Sequence, residues 1–573
     1  MKLKTIYQKL IFLLLLAISF NTKAQELQLL LAKAITGTNR VTCYNIEADN
    51  LGNIYVSGFF SGTVDFDLGP GIANLTTGVG AVLGSSFIAK YDAQGNYIFA
   101  KSLGGNGSGI INITTMVLDK LGNICISGTF ISTADFDPSA AVANFTSVGS
   151  FDIYIAKYNA NGMYVNAWTL GNSDFNSPKS ISTDANNNLI MIGDFNDTID
   201  FDPSPATVNL ISNSNVEDIF VAKYSENGVL LHAFKLGGSD ENSSQSIIAD
   251  PSGNFYVSGD FFTTIDLDPG PAQALFSSVG GKDGFWAKYD LNGNYISGNA
   301  YDGGVNFMEL DQNGNFYFSG RLPDSMDVDP GPNIAMLYSF NNFDIFIVKL
   351  DPAGNYLNGK AFESNLIYTQ YGIISNSLNE IYMYGKFQDT VNFNPGSSSG
   401  ILTSNGLLDA FITKSDANGN FKLAYSLGNS ASNNIEDLAV DPQGNIWICG
   451  IFLDTLDFDF GLSVSNLISP DYTGVYLAKY RDKQVVGISQ PKQSPKEIKV
   501  YSSLHNIYID FTALEKVNST IQIINMLGQT VAEATHRNND MLKISLPNLP
   551  DQMYTVVVKN ENKVTVKKVW VSR

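Results

Sequence analysis

The residues best suited to chemistry are paired carboxylates that return at a fixed place along the chain: Asp65/Asp67, Asp135/Asp137, Asp200/Asp202, Asp266/Asp268, Asp327/Asp329 and Asp457/Asp459. In extended chain, residues two apart point to the same side. Two carboxylates on one side can share a hard cation such as calcium, with carbonyls and water completing its oxygen shell. Against that reading, no D-x-[DN]-x-[DN]-G loop is present, no Glu follows at a fixed distance, and one copy carries Asn392/Asn394 instead. Recurrence in every copy favours a shared structural job, capping a turn or bonding neighbouring backbone. The pairs are therefore candidate calcium ligands set against a structural reading. Paired acids also suggest glycoside hydrolysis, which needs two carboxyls in different environments flanking one bond. Six near-identical pairs single out no such site.

Other reactive groups are sparse. The three histidines are His232, His505 and His536. His232 lies in the run Leu230-Leu-His-Ala-Phe234, where other copies place Phe99 and Asn166, so it reads as a satisfied strand residue. There is no H-E-x-x-H, no G-x-S-x-G and no Walker loop. The expectation is a protein that is not an enzyme, without catalytic or cofactor-binding residues, calcium being the one cofactor in play. Cys43, Cys125 and Cys449, odd in number and far apart, suggest neither a disulfide framework nor a zinc set. They read as small buried apolar residues.

The elements that must position these residues come from an internal repeat. GNIYVSGFF with TVDFD begins at Gly52, and related phrases begin at Gly122, Asn187, Gly253, Gly314, Asn379 and Gly444. The glycine closing each core phrase is Gly58, Gly128, Gly193, Gly259, Gly320, Gly385 and Gly450, at successive spacings of 70, 65, 66, 61, 65 and 65. Each copy also has a second half such as SFIAKYDAQGNYIFAKSLGG from Ser86, so a full unit holds four β-rich runs. Asp-x-x-Gly-Asn marks two hairpins per unit, with Asp accepting backbone N–H bonds and Gly supplying positive φ. Tyr91, Tyr158, Tyr224 and Tyr289 recur once per copy, which packing explains.

Four antiparallel strands repeated seven times predict a propeller. The seventh copy stops after Val475-Tyr-Leu-Ala-Lys-Tyr480 without its fourth strand, and Leu30-Leu-Ala-Lys-Ala-Ile-Thr-Gly37 matches that missing strand. The first strand thus closes the last blade and leaves no open edge. This part resembles the seven-bladed β-propeller repeat family of bacterial surface proteins, marked by D-x-x-G-N-x-Y-V-x-G phrases, over most of residues 25–482.

Composition is 44% hydrophobic, 12% aromatic and 16% charged, which suits short strands and tight turns. Net charge is −20; residues 484–573 carry +4 and the body before them −24. An acidic body repels phosphate backbones and argues against nucleic-acid binding. Residues 1–24 read as a signal peptide: Lys2, Lys4 and Lys9, an apolar run from Leu10 to Phe20, and Thr22-Lys-Ala24 before the cut. That run is too short to span a bilayer, and no later stretch is a transmembrane candidate.

Residues 483–496 (KQVVGISQPKQSPK) read as a linker, and residues 497–573 as a small β-sandwich built from strand-like runs. Ile521-Gln-Ile-Ile-Asn-Met-Leu-Gly-Gln-Thr-Val531, Leu542-Lys-Ile-Ser-Leu546, Met553-Tyr-Thr-Val-Val-Val558 and Val564-Thr-Val-Lys-Lys-Val-Trp-Val571 resemble the type A C-terminal sorting domain of the type IX secretion system of Bacteroidota. Tyr501-Ser-Ser-Leu504 departs from that family's Tyr-Pro-Asn-Pro opening, as does Gln552-Met553 from its Gly before the central Tyr. The resemblance implies recognition by the outer-membrane secretion machinery and a place outside the cell or on its surface.

The whole predicts an all-β chain: a seven-bladed β-propeller at 25–482, then the sorting sandwich. Its expected role is noncatalytic binding or display toward a glycan or protein ligand. The alternatives are a calcium-supported carbohydrate-binding adhesin and a polysaccharide hydrolase or lyase. Both hairpins of each unit fall on one face, so the opposite face, with the Asp-x-Asp stretches, is the expected recognition surface.

Overall fold

The computed structural model describes residues 27–77, 84–104, 109–213, 216–340, 344–364, 368–461, 463–469, 474–483, 499–503, 506–511, 518–526, 529–537, 541–546, 550, 552–560 and 564–571. The predicted signal peptide at 1–24 lies outside them, as does the predicted linker beyond Lys483. The chain divides into two compact units, Met1–Lys483 and Gln484–Arg573.

In the first unit the described strands pair antiparallel in seven groups of four, some of them continued through strand d into six- and eight-stranded sheets. Blade 1 has strand a at Val41–Ala48, b at Ile54–Phe60, c at Ser85–Tyr91 and d at Tyr97–Leu103. Blades 2 to 6 repeat this order, with a strands at Ile110–Leu118, Ser177–Thr183, Asn242–Ala249, Phe307–Leu310 and Tyr368–Ser375. Blade 7 takes a, b and c from Asn434–Val440, Asn445–Phe452 and Gly474–Asp482, and d from Leu27–Gly37. Register runs Leu29↔Tyr480 to Ile35↔Val475, so the start of the chain completes its last blade as the repeat predicts. Each a strand packs against the a strand of the next blade, and that of blade 7 against that of blade 1. The ring is closed.

The core lies between blades. Trp447, Cys449 and Leu477 of blade 7 share one apolar cluster with Ile54, Val56 and Phe87 of blade 1. Strand b is therefore buried on both faces, which explains why IYVSGFF reads as a continuous apolar run and does not alternate. The glycine ending each core phrase is required by a close approach. A Cβ on Gly58 would stand 2.0 Å from the Thr42 carbonyl, where strand a bulges between Cys43 and Asn45. The a–b and c–d turns follow the Asp-x-x-Gly-Asn chemistry. Asp119 Oδ1 accepts from the amides of Leu121 and Asn123, each at 2.9 Å. Asn187 and Asn379 take the positive φ in the two a–b turns that lack Gly.

The structure adds one element to the repeat. In the b–c connection the Asp-x-Asp stretch opens a short hairpin, such as Thr63–Asp65 with Asn74–Thr76. In blades 1, 4 and 6 this hairpin pairs with strand d of the preceding blade, Thr36 opposite Asp65, Gly237 opposite Asp266 and Glu363 opposite Asn392.

In the second unit, strands Lys499–Ser503, Asn506–Asp510 and Met541–Ser545 form one sheet. Thr530–His536, Ser519–Ile524, Gln552–Asn560 and Val564–Val571 form another. Ile507, Ile509, Ile521, Tyr554 and Val556 belong to their common core, which makes the unit a small sandwich. Among the described residues no helix is long and apolar enough to cross a membrane.

Candidate functional site

The b–c and d–a connections share the face opposite the Asp-x-x-Gly-Asn turns. The Asp-x-Asp pairs lie on this face and act on their own backbone. Asp65 Oδ1 accepts from the amides of Asp67 at 3.0 Å and Ala73 at 2.8 Å, and Asp67 Oδ1 from Gly69 at 2.7 Å. Asp135 bonds Asp137 and Ala143, and Asp137 bonds Ser139. Asp200 bonds Asp202 and Val208, and Asp202 bonds Ser204. Asp266 and Asp268, Asp327 and Asp329, and Asp457 and Asp459 repeat the arrangement. In blade 6 the Asn392 amide oxygen accepts from Asn394 N at 3.0 Å, so a neutral acceptor makes the same turn contact. Among the described residues no three His, Cys, Asp or Glu side chains gather as a metal-ligand group.

His232 sits in strand d of blade 3, stacked on Phe234 and Phe255. The ring is packed as a strand residue beside the Leu291 backbone. Burial first, then the nearby Lys223, lowers its pKa to about 4, which leaves it neutral at physiological pH.

The same face carries a cavity of about 640 Å³ where blades 4, 5 and 6 meet. That volume lies within the range of small-molecule sites. Its blade 4 wall holds Asp260, 5% exposed, whose Oδ2 accepts from Gln245 Nε2 at 2.8 Å and pairs with Lys282 at 3.0 Å. Its blade 6 wall holds Gln370, 6% exposed, which donates through Nε2 to Ser319 Oγ at 2.8 Å. The Gln370 amide oxygen has no hydrogen-bond partner. Asp302, Arg321 and the apolar side chain of Phe307 also line the space. Charged donors, acceptors and an aromatic side chain thus converge on one concavity, a set that can hold a ligand rich in hydroxyls.

Local folding opens this space. The d–a connection into blade 5 is Asp302-Gly-Gly-Val-Asn306, and Gly304 N donates to the Arg321 carbonyl at 3.2 Å. Gly320 lets that connection lie flat, since a Cβ there would stand 1.8 Å from the Gly304 carbonyl. Sequence reasoning chose this face but missed the cavity. Its signal was the break in period: Gly259 to Gly320 is the shortest spacing, 61, because this connection is abbreviated.

Reasoning from the repeat also missed three acids on the a strands: Glu47, Glu309 and Asp437. Burial first, then Asp437 and Glu309, pushes the Glu47 carboxyl up to about 8. Burial raises Glu309 to about 7, although Ser375 donates to it through both N and Oγ. Burial raises Asp437 to about 6 despite donors from Tyr384 and the Ile46 amide.

Residues 503–572 match the family described as the secretion system C-terminal sorting domain, which implies export. The chain is 22% identical over 563 residues to an uncharacterised WD repeat-containing protein of Acanthamoeba polyphaga mimivirus, covering 83% of this chain and 40% of that one. It thus spans well under half of that relative's length. Among solved structures, the RRP9 WD40 repeats align at 8% identity and TM-score 0.40, covering 79% of this chain and 100% of that one. Sqt1 from Chaetomium thermophilum aligns at 9% identity and TM-score 0.33, covering 80% and 99%. The propeller assignment rests on the strand pairing, and the family match at residues 503–572 is to a secretion sorting domain.

Proposed function

We propose that this chain is a noncatalytic binding propeller of the cell surface or extracellular space, delivered by its leader and by its sorting domain through the type IX machinery. Its ligand is a glycan, held in the cavity between blades 4, 5 and 6. The observation that carries this reading is the convergence of Asp260, Lys282, Arg321 and Phe307 on one cavity. Sugar hydroxyls both donate and accept, so they can serve the Asp260–Lys282 pair. The C–H face of a sugar ring suits Phe307.

A noncatalytic role is supported by the engagement of Asp260 with both Gln245 and Lys282, which leaves it poorly placed to move a proton. Resemblance to the seven-bladed surface repeat family supports the same role. The test is a glycan array probed with the exported chain, followed by calorimetry on each hit with wild type, Arg321→Ala and Phe307→Ala. Each substitution is expected to weaken binding by about tenfold or more. Unchanged affinity in both variants would remove the cavity from the account. Turnover of a polysaccharide hit would replace binding with catalysis, and binding abolished by chelation would favour the calcium-supported adhesin.

A further inference from the structure

The three cysteines were expected to be separate buried residues, and for Cys125 that holds. It packs in the core between blades 2 and 3. Cys43 and Cys449 differ. Cys43 lies on strand a of blade 1 and Cys449 on strand b of blade 7, and these two strands pack together at the seam. Both side chains are 0% exposed and belong to one apolar cluster. The Cys449 thiol is raised well above the ordinary range, by burial first and then by the Cys43 thiol beside it. Two thiols far apart in sequence thus meet where the two ends of the propeller meet.

We infer that Cys43 and Cys449 become joined by a disulfide in the exported protein, a covalent staple across the closing seam. Secretion places the chain where disulfides form and persist. The joint between the two ends of the ring lies inside blade 7, between Leu27–Gly37 and Gly474–Asp482, and no covalent bond crosses it. A bond from blade 1 to strand b of blade 7 bridges that joint, so the first strand cannot peel away and carry blade 1 with it.

The oxidant is a disulfide donor of the thiol oxidoreductase or glutathione class. One cysteine thiolate attacks the donor disulfide, forms a mixed disulfide and releases one donor thiol. The second thiolate attacks the protein sulfur of that mixed disulfide and releases the other donor thiol. Two protein thiols are oxidised, one donor disulfide is reduced to two thiols, and the two protons leave with them. A buried thiol with little thiolate reacts slowly. The exchange therefore precedes sealing of the seam, and the finished bond is shielded from reductant.

The test uses the full chain recovered after secretion, denatured without reductant in excess alkylating agent and weighed intact. One alkylated cysteine, Cys125, and a proteolytic fragment carrying Cys43 joined to Cys449 are the expected result. Three alkylated cysteines would overturn the inference, as would linkage of Cys125 to either partner. A second measurement compares wild type refolded in glutathione disulfide with wild type refolded in excess reductant, and the oxidised form should unfold a few degrees higher. The Cys43→Ser and Cys449→Ser variants should show no such rise. An equal rise in those variants would overturn the staple.

Discussion

The ammonium of Lys479 in blade 7 donates to the Ala93 carbonyl of blade 1 at 2.8 Å and pairs with Asp441 of its own blade at 3.0 Å. The same link recurs where Lys90 reaches Ala160, Lys223 reaches Leu291, and Lys349 reaches Ala417. Each of these lysines lies in the last half of strand c and fastens its blade to the c–d turn of the next. In each, the carboxylate that caps the a–b turn holds the ammonium in place, at Asp49, Asp184 and Asp311.

Lys479→Met should therefore cost more than a surface ion pair. The Asp441 side chain is 0% exposed and would lose its cation partner. Breaking one partner of a buried pair costs about 3 kcal/mol or more. Lys288→Met, whose bond to Pro352 is exposed at 3.2 Å, should cost about 1 kcal/mol or less. Urea unfolding of the two variants separates them, and equal midpoints would show that the seam link carries no special weight.

The first strand closes the ring through backbone pairing and through Ile35, 0% exposed and opposite Val475. Deleting residues 27–37 should expose the edge of Gly474–Asp482, a ready template for another chain. Loss of cooperative unfolding and association on size exclusion are the expected readouts. Ile35→Asp should do the same more mildly, at about 3 kcal/mol, by burying an unpaired charge. A deletion variant that stays monomeric with an unchanged midpoint would show that strand to be dispensable.

What was legible in the sequence was whatever every blade repeats. Gly58 and five of its equivalents are fixed by the bulge of strand a, Gly320 by the Gly304 carbonyl, and Leu30 to Gly37 were recognisable because they copy Ile98 to Gly105. Tyr158 illustrates a half-read residue. Packing explains its burial, but its hydroxyl also donates to the Phe136 carbonyl at 2.8 Å, inside the Asp-x-Asp stretch. The lysine of each AKY phrase repeats as faithfully, yet the carbonyl that Lys90, Lys223 and Lys479 reach lies in another blade, which one-dimensional spacing does not reveal. The cavity and the acids Glu47 and Glu309 were hidden for the opposite reason. They occur where single copies depart from the pattern, at positions where others hold Val117, Ile248 or Ile374.

Asp135→Asn should be nearly neutral and Asp135→Ala should not. Asp135 Oδ1 takes two backbone amides, at 3.0 and 2.8 Å, and Asn392 makes one equivalent bond with an amide oxygen. Loss of such an acceptor costs about 1 to 2 kcal/mol, whereas Asn keeps it. Calcium should leave the wild-type midpoint unchanged. If Asn costs as much as Ala, or if calcium raises the midpoint of wild type but not of Asp135→Asn, the carboxylate pairs are cation ligands.

Glu47 sets the expected pH dependence. Its carboxyl is raised to about 8 in the folded state, against an ordinary value of 4.5. The folded protein therefore holds the proton more tightly than the unfolded chain. This contribution to stability is full below about pH 4.5 and is lost as pH rises through about 8. Glu309, raised to about 7, acts in the same direction. The wild-type midpoint should fall by several degrees between pH 6 and pH 9, beyond the trend set by the rest of the chain. Glu47→Gln removes the titrating group, so its midpoint should match wild type near pH 5 and exceed it at pH 9. A Glu47→Gln curve parallel to wild type across that interval would mean that this carboxyl titrates as it does in water.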